Sequence, residues 1–267
     1  MPDGGAIALD GYDLTLAAGL VLLAGVVSLV LRVGMERRLF VAALRTVVQL
    51  LLVGYVLRVV FDLDQAWAVL GVAIVMLGAA SFEAVRRPRH AMAGTTGRAF
   101  VTLLASALLT TVLVTSIVIR VEPWYAPQYL IPLLGMALGN SLTGLSLCLD
   151  QLLSTFAERR ADVESDLALG ASRWEAARRP LAEAIRRGLI PIVNSMSVAG
   201  IVSLPGMMTG QILAGADPVD AVRYQVVVMF LIAASTSLGC MAIGLLVVRA
   251  LFNERHQLRS ERIRERS

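Results

Sequence analysis

Seven apolar runs long enough to cross a membrane constrain this chain more than any other feature of its sequence. A bilayer core of about 30 Å needs about 20 helical residues, because each residue advances an α-helix by about 1.5 Å. Runs of this kind occur at residues 14–33, 39–60, 65–81, 99–119, 129–149, 188–214 and 222–251. They lack the strict alternation of a membrane β-barrel, and 57% of the residues are hydrophobic against 16% charged. We therefore predict an all-α, polytopic membrane bundle of about seven helices, with residues 1–267 forming a single domain.

The distribution of arginine predicts how this bundle lies in the membrane. All 24 basic residues are arginine, and alternating the loops between the two sides places 20 of them on one side and 3 on the other. Because arginine-rich short loops stay in the cytosol, we predict an outer N-terminus and an inner C-terminus, with a basic cytosolic tail at residues 252–267. Asp3, Asp10 and Asp13 make the N-terminus acidic, so no cleaved secretory signal is expected. The same loops account for the net charge of +4, so we predict membrane lipid and no nucleic acid as a partner.

The longest polar segment, residues 150–187, predicts a helical hairpin on the cytosolic side. Four apolar residues in its first half recur at the spacing of one helix face, namely Leu152, Phe156, Val163 and Leu167. Gly170 then suits a helix end, because glycine adopts positive φ at little cost. Ser172, followed three residues later by Glu175, has the pattern of a capping box that begins a second helix. Trp174 near the tip suits a partner's pocket, or else packs on the hairpin or at the lipid interface.

The hairpin resembles a docking segment of known transporters. Glu164 lies six residues before Gly170, and Gly170 is followed by Ala171 and Ser172. This pattern is similar to the Glu-Ala-Ala loop of ABC importer permeases, although Ser165 and Asp166 replace two of its alanines. The resemblance implies contacts with an ATPase subunit through Glu164, Leu169, Gly170, Ala171, Ser172 and Trp174.

Further motifs resemble the FetB-type family of bacterial ABC permeases, whose plant relatives are associated with aluminium tolerance. They are Arg45-Thr46-Val47-Val48-Gln49-Leu50, Gly54-Tyr55, Ile131-Pro132-Leu133-Leu134-Gly135-Met136, Gly139-Asn140-Ser141, Leu204-Pro205-Gly206-Met207-Met208-Thr209-Gly210, Asp217-Pro218, Tyr224-Gln225 and Arg255-His256-Gln257. The resemblance implies a permease in the bacterial inner membrane that exports a metal ion such as iron, assembled as a homodimer with a separate ATPase. ATP would bind the partner, and no cofactor is expected on this chain.

The energy source can also be argued from the residues themselves. A P-loop requires a lysine beside the nucleotide phosphates, and this chain has none. It is therefore not an ATPase of that type, and the hairpin favours a partner ATPase over an independent carrier. A membrane-embedded enzyme would need a nucleophile with a base, and no such pair stands out in the apolar runs.

Polar and helix-breaking residues within the apolar runs are the predicted transport pathway. They are Arg45, Gln49, Asn140, Ser141, Thr143, Asn194, Pro205, Gly206, Met207, Met208, Thr209 and Gln211. Arg45 and Gln49 are one helical turn apart and line a polar seam with Glu83 as counter-ion, or else Arg45 extends to the headgroups. Asn140 and Asn194 offer carboxamides, while glycines at 135, 139 and 144 allow close helix packing.

The sixth run predicts a broken helix. Its 27 residues would measure about 40 Å as one straight helix, which exceeds the bilayer core. Pro205 and Gly206 are the expected break, with a short helix following over residues 207–213. Thr209 and Gln211 would satisfy the freed backbone groups. The break serves either as a site within the membrane or as an external gate.

The cargo is not evident from the residues alone. His90 and His256 lie outside the apolar runs, and the methionines suit Cu(I) better than iron, so the metal ligands are unknown. Iron therefore enters only through the family resemblance. An organic anion or a sugar nucleotide remains an alternative cargo, since Arg45 is an odd neighbour for a cation. Cys148 and Cys240 lie inside the runs, where packing without a disulfide is expected.

Overall fold

The computed structural model describes residues 10–265, so Asp3 and Arg266 of the charge argument lie outside the described part. The α-helices are α1 (Gly11–Val30), α2 (Glu36–Leu63), α3 (Ala66–Arg86), α4 (Thr95–Leu103), α5 (Leu109–Leu113), α6 (Pro127–Glu158), α7 (Arg160–Ala168), α8 (Arg173–Val198), α9 (Gly206–Leu213) and α10 (Pro218–Leu251). A π-helical turn at Leu104–Leu108 joins α4 to α5, and a second one at Val114–Ile119 follows α5 directly. Residues 95–119 are therefore one continuous helical stretch. Two short strands, β1 (His90–Met92) and β2 (Ile263–Glu265), pair antiparallel.

Six helical stretches of the described chain are long and apolar enough to cross a membrane. They are α1, α2, α3, the continuous stretch Thr95–Ile119, α6 and α10, which overlap the predicted runs one to five and seven, although the first run extends three residues beyond α1. The helices follow these runs because a 20-residue apolar segment satisfies its backbone hydrogen bonds only as a helix in lipid. The prediction of an all-α polytopic bundle is therefore confirmed.

The predicted sixth run, residues 188–214, is not one helix. Helix α8 begins in the polar hairpin at Arg173 and ends at Val198, and α9 begins at Gly206. Leu181 of α8 lies against Gly244 of α10, and Gly188 lies against Cys240. The two helices therefore run antiparallel, and α8 extends along α10 away from the polar hairpin. The charged first half of α8 lowers its mean hydropathy, so α8 is not among the six apolar stretches.

The core lies where α3, α6, α8 and α10 pack together, with Leu77, Leu145, Leu149 and Ile243 fully buried. Its tightest point is a crossing of α6, α8 and α10 at Gly144, Gly188 and Cys240. A Cβ added at Gly144 would lie 3.0 Å from the carbonyl oxygen of Gly188. Close packing was thus predicted correctly at Gly144, whereas Gly139 has open space and Gly135 meets only a methionine methyl group.

Helices α1 and α2 pack against each other at the edge of the bundle. The serine hydroxyl of Ser28 donates to Glu36 and accepts from the backbone N–H of Met35, both at 3.2 Å, which ties the two helices together. Most side chains of both helices are exposed, and only Val60 of α2 is buried. The apolar surface of α1 and α2 is therefore available to lipid or to another chain.

Four segments hold the 20 arginines predicted on one side, namely residues 32–38, 86–98, 159–187 and 249–266. The last three of them meet at one end of the bundle. The β1–β2 pairing brings the loop before α4 to the C-terminal tail, and Phe252 packs edge-on against Phe156 with ring centroids 5.8 Å apart. The backbone N–H of Arg89 donates to Asp150 at 2.9 Å, and that of Arg173 donates to His256 at 3.1 Å. The tail, predicted only as a basic segment, is folded onto the bundle as far as Glu265. This grouping agrees with the predicted placement of these segments on one side.

Candidate functional site

The hairpin projects from the arginine-rich end on helices α7 and α8. Its predicted apolar stripe is confirmed, because Leu152, Phe156 and Val163 are buried and Leu167 is partly buried. The first arm is not a simple extension of α6, since that helix ends at Glu158 and the chain bends at Arg159 before α7. The stripe residues stay buried on both sides of the bend because they pack against α8 and against Phe252 at the start of the tail.

The tip of the hairpin has the local geometry that its sequence predicts. Gly170 adopts φ +97°, a conformation that favours glycine. The backbone N–H of Ser172 donates to the Glu175 carboxylate at 2.7 Å, and the N–H of Glu175 donates to the Ser172 hydroxyl at 3.4 Å. This capping box holds the first turn of α8. Hydrogen bonds from the side chain and backbone of Ser172 lower the pKa of Glu175.

The side chains predicted to contact a partner differ in their exposure. Leu169 is 88% exposed and Trp174 is 41% exposed, with the Arg173 guanidinium 5.5 Å from the Trp174 ring centre. Glu164 is engaged by Arg160 one turn earlier, at 2.6 Å. Ala171 and Ser172 are half-buried under the tip. Leu169 and Trp174 therefore form an apolar tip that protrudes from a charged surface.

The helix break lies at the end of the bundle away from the hairpin. Pro205 precedes the first residue of α9, as predicted, and the Thr209 hydroxyl donates to the Pro205 carbonyl oxygen at 3.1 Å. The helix before the break ends earlier than expected, at Val198. The Pro205 carbonyl oxygen also accepts from the backbone N–H of Thr209 at 3.1 Å, so it is not a freed backbone group, and the role predicted for Thr209 stays a prediction. The buried Oε1 of Gln211 has no hydrogen-bond partner among the described residues.

A cavity of about 380 Å³ opens beside this break. Of the predicted pathway residues, Pro205 and Met208 line it, whereas Gly206, Met207, Thr209 and Gln211 do not. Its other walls come from α8, the loop before α9 and the first half of α10. These include Met196, Gly200, Leu204, Gln225, Met229 and Phe230. The cavity is mainly apolar, and the side-chain Oε1 of Gln225 is buried there with no hydrogen-bond partner within residues 10–265.

Asn140 and Asn194 lie at similar heights on α6 and α8. Asn140 is four residues from Gly144, and Asn194 is six residues from Gly188, where the antiparallel helices cross. At about 1.5 Å per residue, their heights above the crossing are about 6 and 9 Å. Both side chains are exposed. Ser141 instead points into the bundle, where its hydroxyl lies 2.7 Å from that of Ser235.

The remaining pathway predictions concern α2 and α6. Arg45 and Gln49 are exposed on α2, and the ion pair that Glu83 forms is with Arg87 at 3.5 Å, so the structure does not join Glu83 to Arg45. Thr143 is half-buried on α6, and its hydroxyl donates to the backbone of Gly139. Among residues 10–265, no group of three or more His, Cys, Asp and Glu side chains is placed to hold a metal ion.

Several residues of these regions were not among the predicted pathway residues. Met196 and Met229 face the cavity, yet methionine in an apolar run carries no distinguishing signal. Gln225 had one, because a carboxamide within an apolar run is costly without a polar neighbour. Thr102 and Ser106, at the first π-helical turn, have buried hydroxyl oxygens that find no hydrogen-bond partner in the part of the chain that the structure describes, and no local motif predicts this.

These features define an integral, polytopic helical membrane protein with a projecting helical hairpin and a broken helix. Residues 11–252 match the model of a family described as "Uncharacterised protein family (UPF0014)". The chain belongs to the UPF0014 family of membrane proteins. No solved structure matches it.

Named relatives confirm the resemblance deduced from the motifs. A UPF0014 membrane protein of Synechocystis is 42% identical over 80% of this chain and 83% of its own length. The "Probable iron export permease protein FetB" of Escherichia coli is 33% identical over 94% of this chain and 95% of its own length. The UPF0014 membrane protein STAR2 of rice is 31% identical over 91% and 84%, respectively. The similarity thus covers nearly the whole chain in both bacterial and plant relatives.

Proposed function

We propose that this protein is the permease subunit of an ABC transporter in the bacterial inner membrane, working as a homodimer with a separate ATPase subunit to export a metal ion such as iron. The observation that carries the proposal is the protruding hairpin tip with its exposed Leu169 and Trp174. An apolar tip on a charged surface suits insertion into a pocket of another protein. The chain has no lysine for a P-loop of its own, so ATP would bind the partner.

Exposed polar residues within the apolar helices support the homodimer. Arg45 and Gln49 on α2, and Asn140 and Asn194 on α6 and α8, are uncovered in the single chain. A charge at the centre of a membrane helix costs about 2.5–3.5 kcal/mol, and a carboxamide in lipid also costs free energy when it lacks a hydrogen-bond partner. These groups therefore favour a water-filled path or a second protein surface over lipid. Two copies arranged around these residues would bury them and form the pathway between them.

The helix break supplies the proposed gate. Non-helical backbone at membrane depth is tolerated only where protein or water surrounds it. The loop between α8 and α9 lies beside the first half of α10, toward the end opposite the hairpin. This location supports an external gate, with Pro205 and Met208 at the cavity wall. Repacking of α9 against α10 would then open the path outward.

The iron cargo rests on the relative from Escherichia coli, whose printed name is that of a probable iron export permease. The described residues hold no ready-made group of metal ligands, so the metal cargo is proposed on that name alone. An organic anion or a sugar nucleotide is the alternative cargo, because the exposed Arg45 would attract negative charge.

The first experiment tests the docking of the hairpin. The tagged full chain is purified from membranes of its own host, and co-purifying ABC ATPases are identified by mass spectrometry. The variant Leu169→Glu/Trp174→Ala should lose the ATPase, because it removes the apolar tip. Arg179→Ala is the control, since Arg179 is exposed on the same hairpin and its ion pair within the described residues is with Glu183, on its own helix. Equal recovery of the ATPase with both variants would contradict the proposed docking.

The second experiment tests the cargo. The permease and its ATPase are reconstituted in vesicles, and ATP-dependent movement of Fe²⁺ is compared with movement of a sugar nucleotide. Iron transport that disappears in Leu169→Glu/Trp174→Ala would support the proposal. ATP-dependent movement of the sugar nucleotide without iron would refute the cargo and leave the permease assignment intact. Transport by the permease without ATPase would refute the ABC assignment itself.

A further inference from the structure

Six arginines surround a cleft of about 610 Å³ at the hairpin end of the bundle. They are Arg98, Arg173, Arg249, Arg255, Arg259 and Arg262. Arg98 lies in the first helix turns of α4, Arg173 begins α8, and Arg249 lies in the last turn of α10. The other three belong to the folded C-terminal tail. The cleft thus lies between the ends of three helices, α4, α8 and α10, and the folded C-terminal tail.

The cleft carries a large excess of positive charge. Glu254 is the carboxylate in its lining, and none of the six arginines forms an ion pair within residues 10–265. Like charges gathered in a concave site repel each other and concentrate anions. A fold that gathers six guanidinium groups around one lining carboxylate, with none of the six in an ion pair among the described residues, therefore favours an anionic ligand.

Three of these arginines, Arg98, Arg259 and Arg262, make hydrogen bonds to backbone oxygens that hold them at the cleft. Arg262 donates to the carbonyl oxygen of Ala250 at 3.0 Å, and Arg98 donates to that of Ala93 at 3.2 Å. The backbone N–H of Arg259 donates to Leu251 at 2.8 Å. Each held guanidinium retains further N–H groups, because arginine has five donors. The Nε of Arg173 is buried and has no hydrogen-bond partner among the described residues.

We propose that this cleft binds a phosphate group, supplied by the head group of an anionic phospholipid. Guanidinium groups match phosphate oxygens through paired hydrogen bonds, which makes arginine the preferred residue for phosphate. The cleft lies at head-group level, because Arg98 immediately precedes the apolar run 99–119 and Arg249 lies in the last turn of the apolar helix α10. A soluble phosphate ester offers the same chemistry, so the test separates the two sources.

The structure contains a reporter for this binding. Arg173 lines the cleft, and its guanidinium also lies 5.5 Å from the ring centre of Trp174. A ligand that engages Arg173 should change the fluorescence of Trp174. The purified full chain with Trp67→Phe and Trp124→Phe leaves Trp174 as its single tryptophan.

This single-tryptophan protein is placed in phosphatidylcholine nanodiscs with increasing fractions of phosphatidylglycerol. Inorganic phosphate is added in a separate series, with sodium chloride at matched ionic strength as the reference. The variant Arg249→Gln/Arg255→Gln should weaken the response about tenfold or more, since it removes two charge-assisted contacts. Arg178→Gln/Arg186→Gln removes the same charge outside the cleft and should respond like the parent. Arg249→Lys/Arg255→Lys keeps the charge and checks that loss of binding is not loss of folding.

A phosphatidylglycerol response that the cleft variant loses and the control keeps supports the lipid as ligand. A response to inorganic phosphate alone supports the phosphate site and refutes the lipid source. Equal weakening in both variants, or a response that sodium chloride reproduces, overturns the proposal. Loss of the ATPase from the cleft variant with an unchanged lipid response would make the cleft a protein interface and also overturn it. Since hairpin docking is tested at Leu169 and Trp174, failure here is distinguishable from failure of the proposed transporter.

Discussion

The crossing of α6, α8 and α10 predicts a strong effect from a single added methyl group. In Gly188→Ala, the new Cβ would lie 2.8 Å from both the Cys240 sulfur and the Gly144 carbonyl oxygen, and 3.0 Å from the Cys148 Cβ. A side-chain sulfur can turn away, but a backbone oxygen moves only with its helix. The substitution therefore forces α6 and α8 apart.

The magnitude follows from two opposing terms. Overpacking a close-packed core costs about 1–3 kcal/mol, whereas alanine in place of a helical glycine gains about 0.5–1 kcal/mol. Gly139→Ala on α6 is the matched control, because nothing lies within 4 Å of its added Cβ. Both variants share the helix term, so their difference in unfolding free energy isolates the overpacking. We expect Gly188→Ala to be less stable than Gly139→Ala by about 1–3 kcal/mol.

The assay is reversible unfolding of the purified protein in mixed micelles with a rising fraction of sodium dodecyl sulfate, followed by circular dichroism. If Gly188→Ala were as stable as Gly139→Ala, the close crossing would be refuted. The double variant Gly188→Ala/Cys240→Ala should recover only part of the loss, because the Gly144 oxygen still opposes the new methyl group. Full recovery would mean that the sulfur, not the helix backbone, limits the approach.

Three further predictions use the same purified protein. Maleimide should label neither Cys148 nor Cys240 in the folded state, because both are free and buried, and labelling before unfolding would contradict their placement. A double-mutant cycle of Ser141→Ala and Ser235→Ala should give a coupling energy of about 0.6–1.7 kcal/mol, the range for hydrogen bonds between membrane helices, whereas additive effects would argue against the 2.7 Å contact. Since its hydrogen bonds lower the pKa of Glu175, the cap should stabilise the folded state above the carboxyl's ordinary pKa and lose that effect as the pH falls through the lowered value. Amide protection in the first turn of α8 should then fall on acidification in the native protein but not in Glu175→Gln.

Features that depend on local chemistry were predictable from the sequence. Long apolar runs became helices because lipid leaves the backbone no other partner. The capping box at Ser172, the positive φ of Gly170 and the start of α9 after Pro205 each depend on a few adjacent residues. These features form wherever the motif occurs in a compatible fold.

Features that depend on contacts between distant segments were not predictable in this way. Asn140 and Ser141 are neighbours in sequence, yet one is exposed and the other buried, because a helix turns by about 100° per residue. Gly139 and Gly144 look alike in sequence, but only Gly144 faces the crossing with α8. The arginine cleft depends on the tail folding back through β2, which no motif in residues 252–265 indicates.

The continuity of α8 links the hairpin to the helix break. Its 26 residues extend for about 39 Å, from the cap at Ser172 to the loop after Val198. Midway, Gly188 is held against α6 and α10 with no room for a side chain. In the proposed transporter, a displacement of the hairpin tip would therefore be transmitted to the cavity through α8, a single helix that is held in place at its centre. Pro180 and Pro191 leave backbone carbonyls without helix partners on either side of this point, so bending concentrates there.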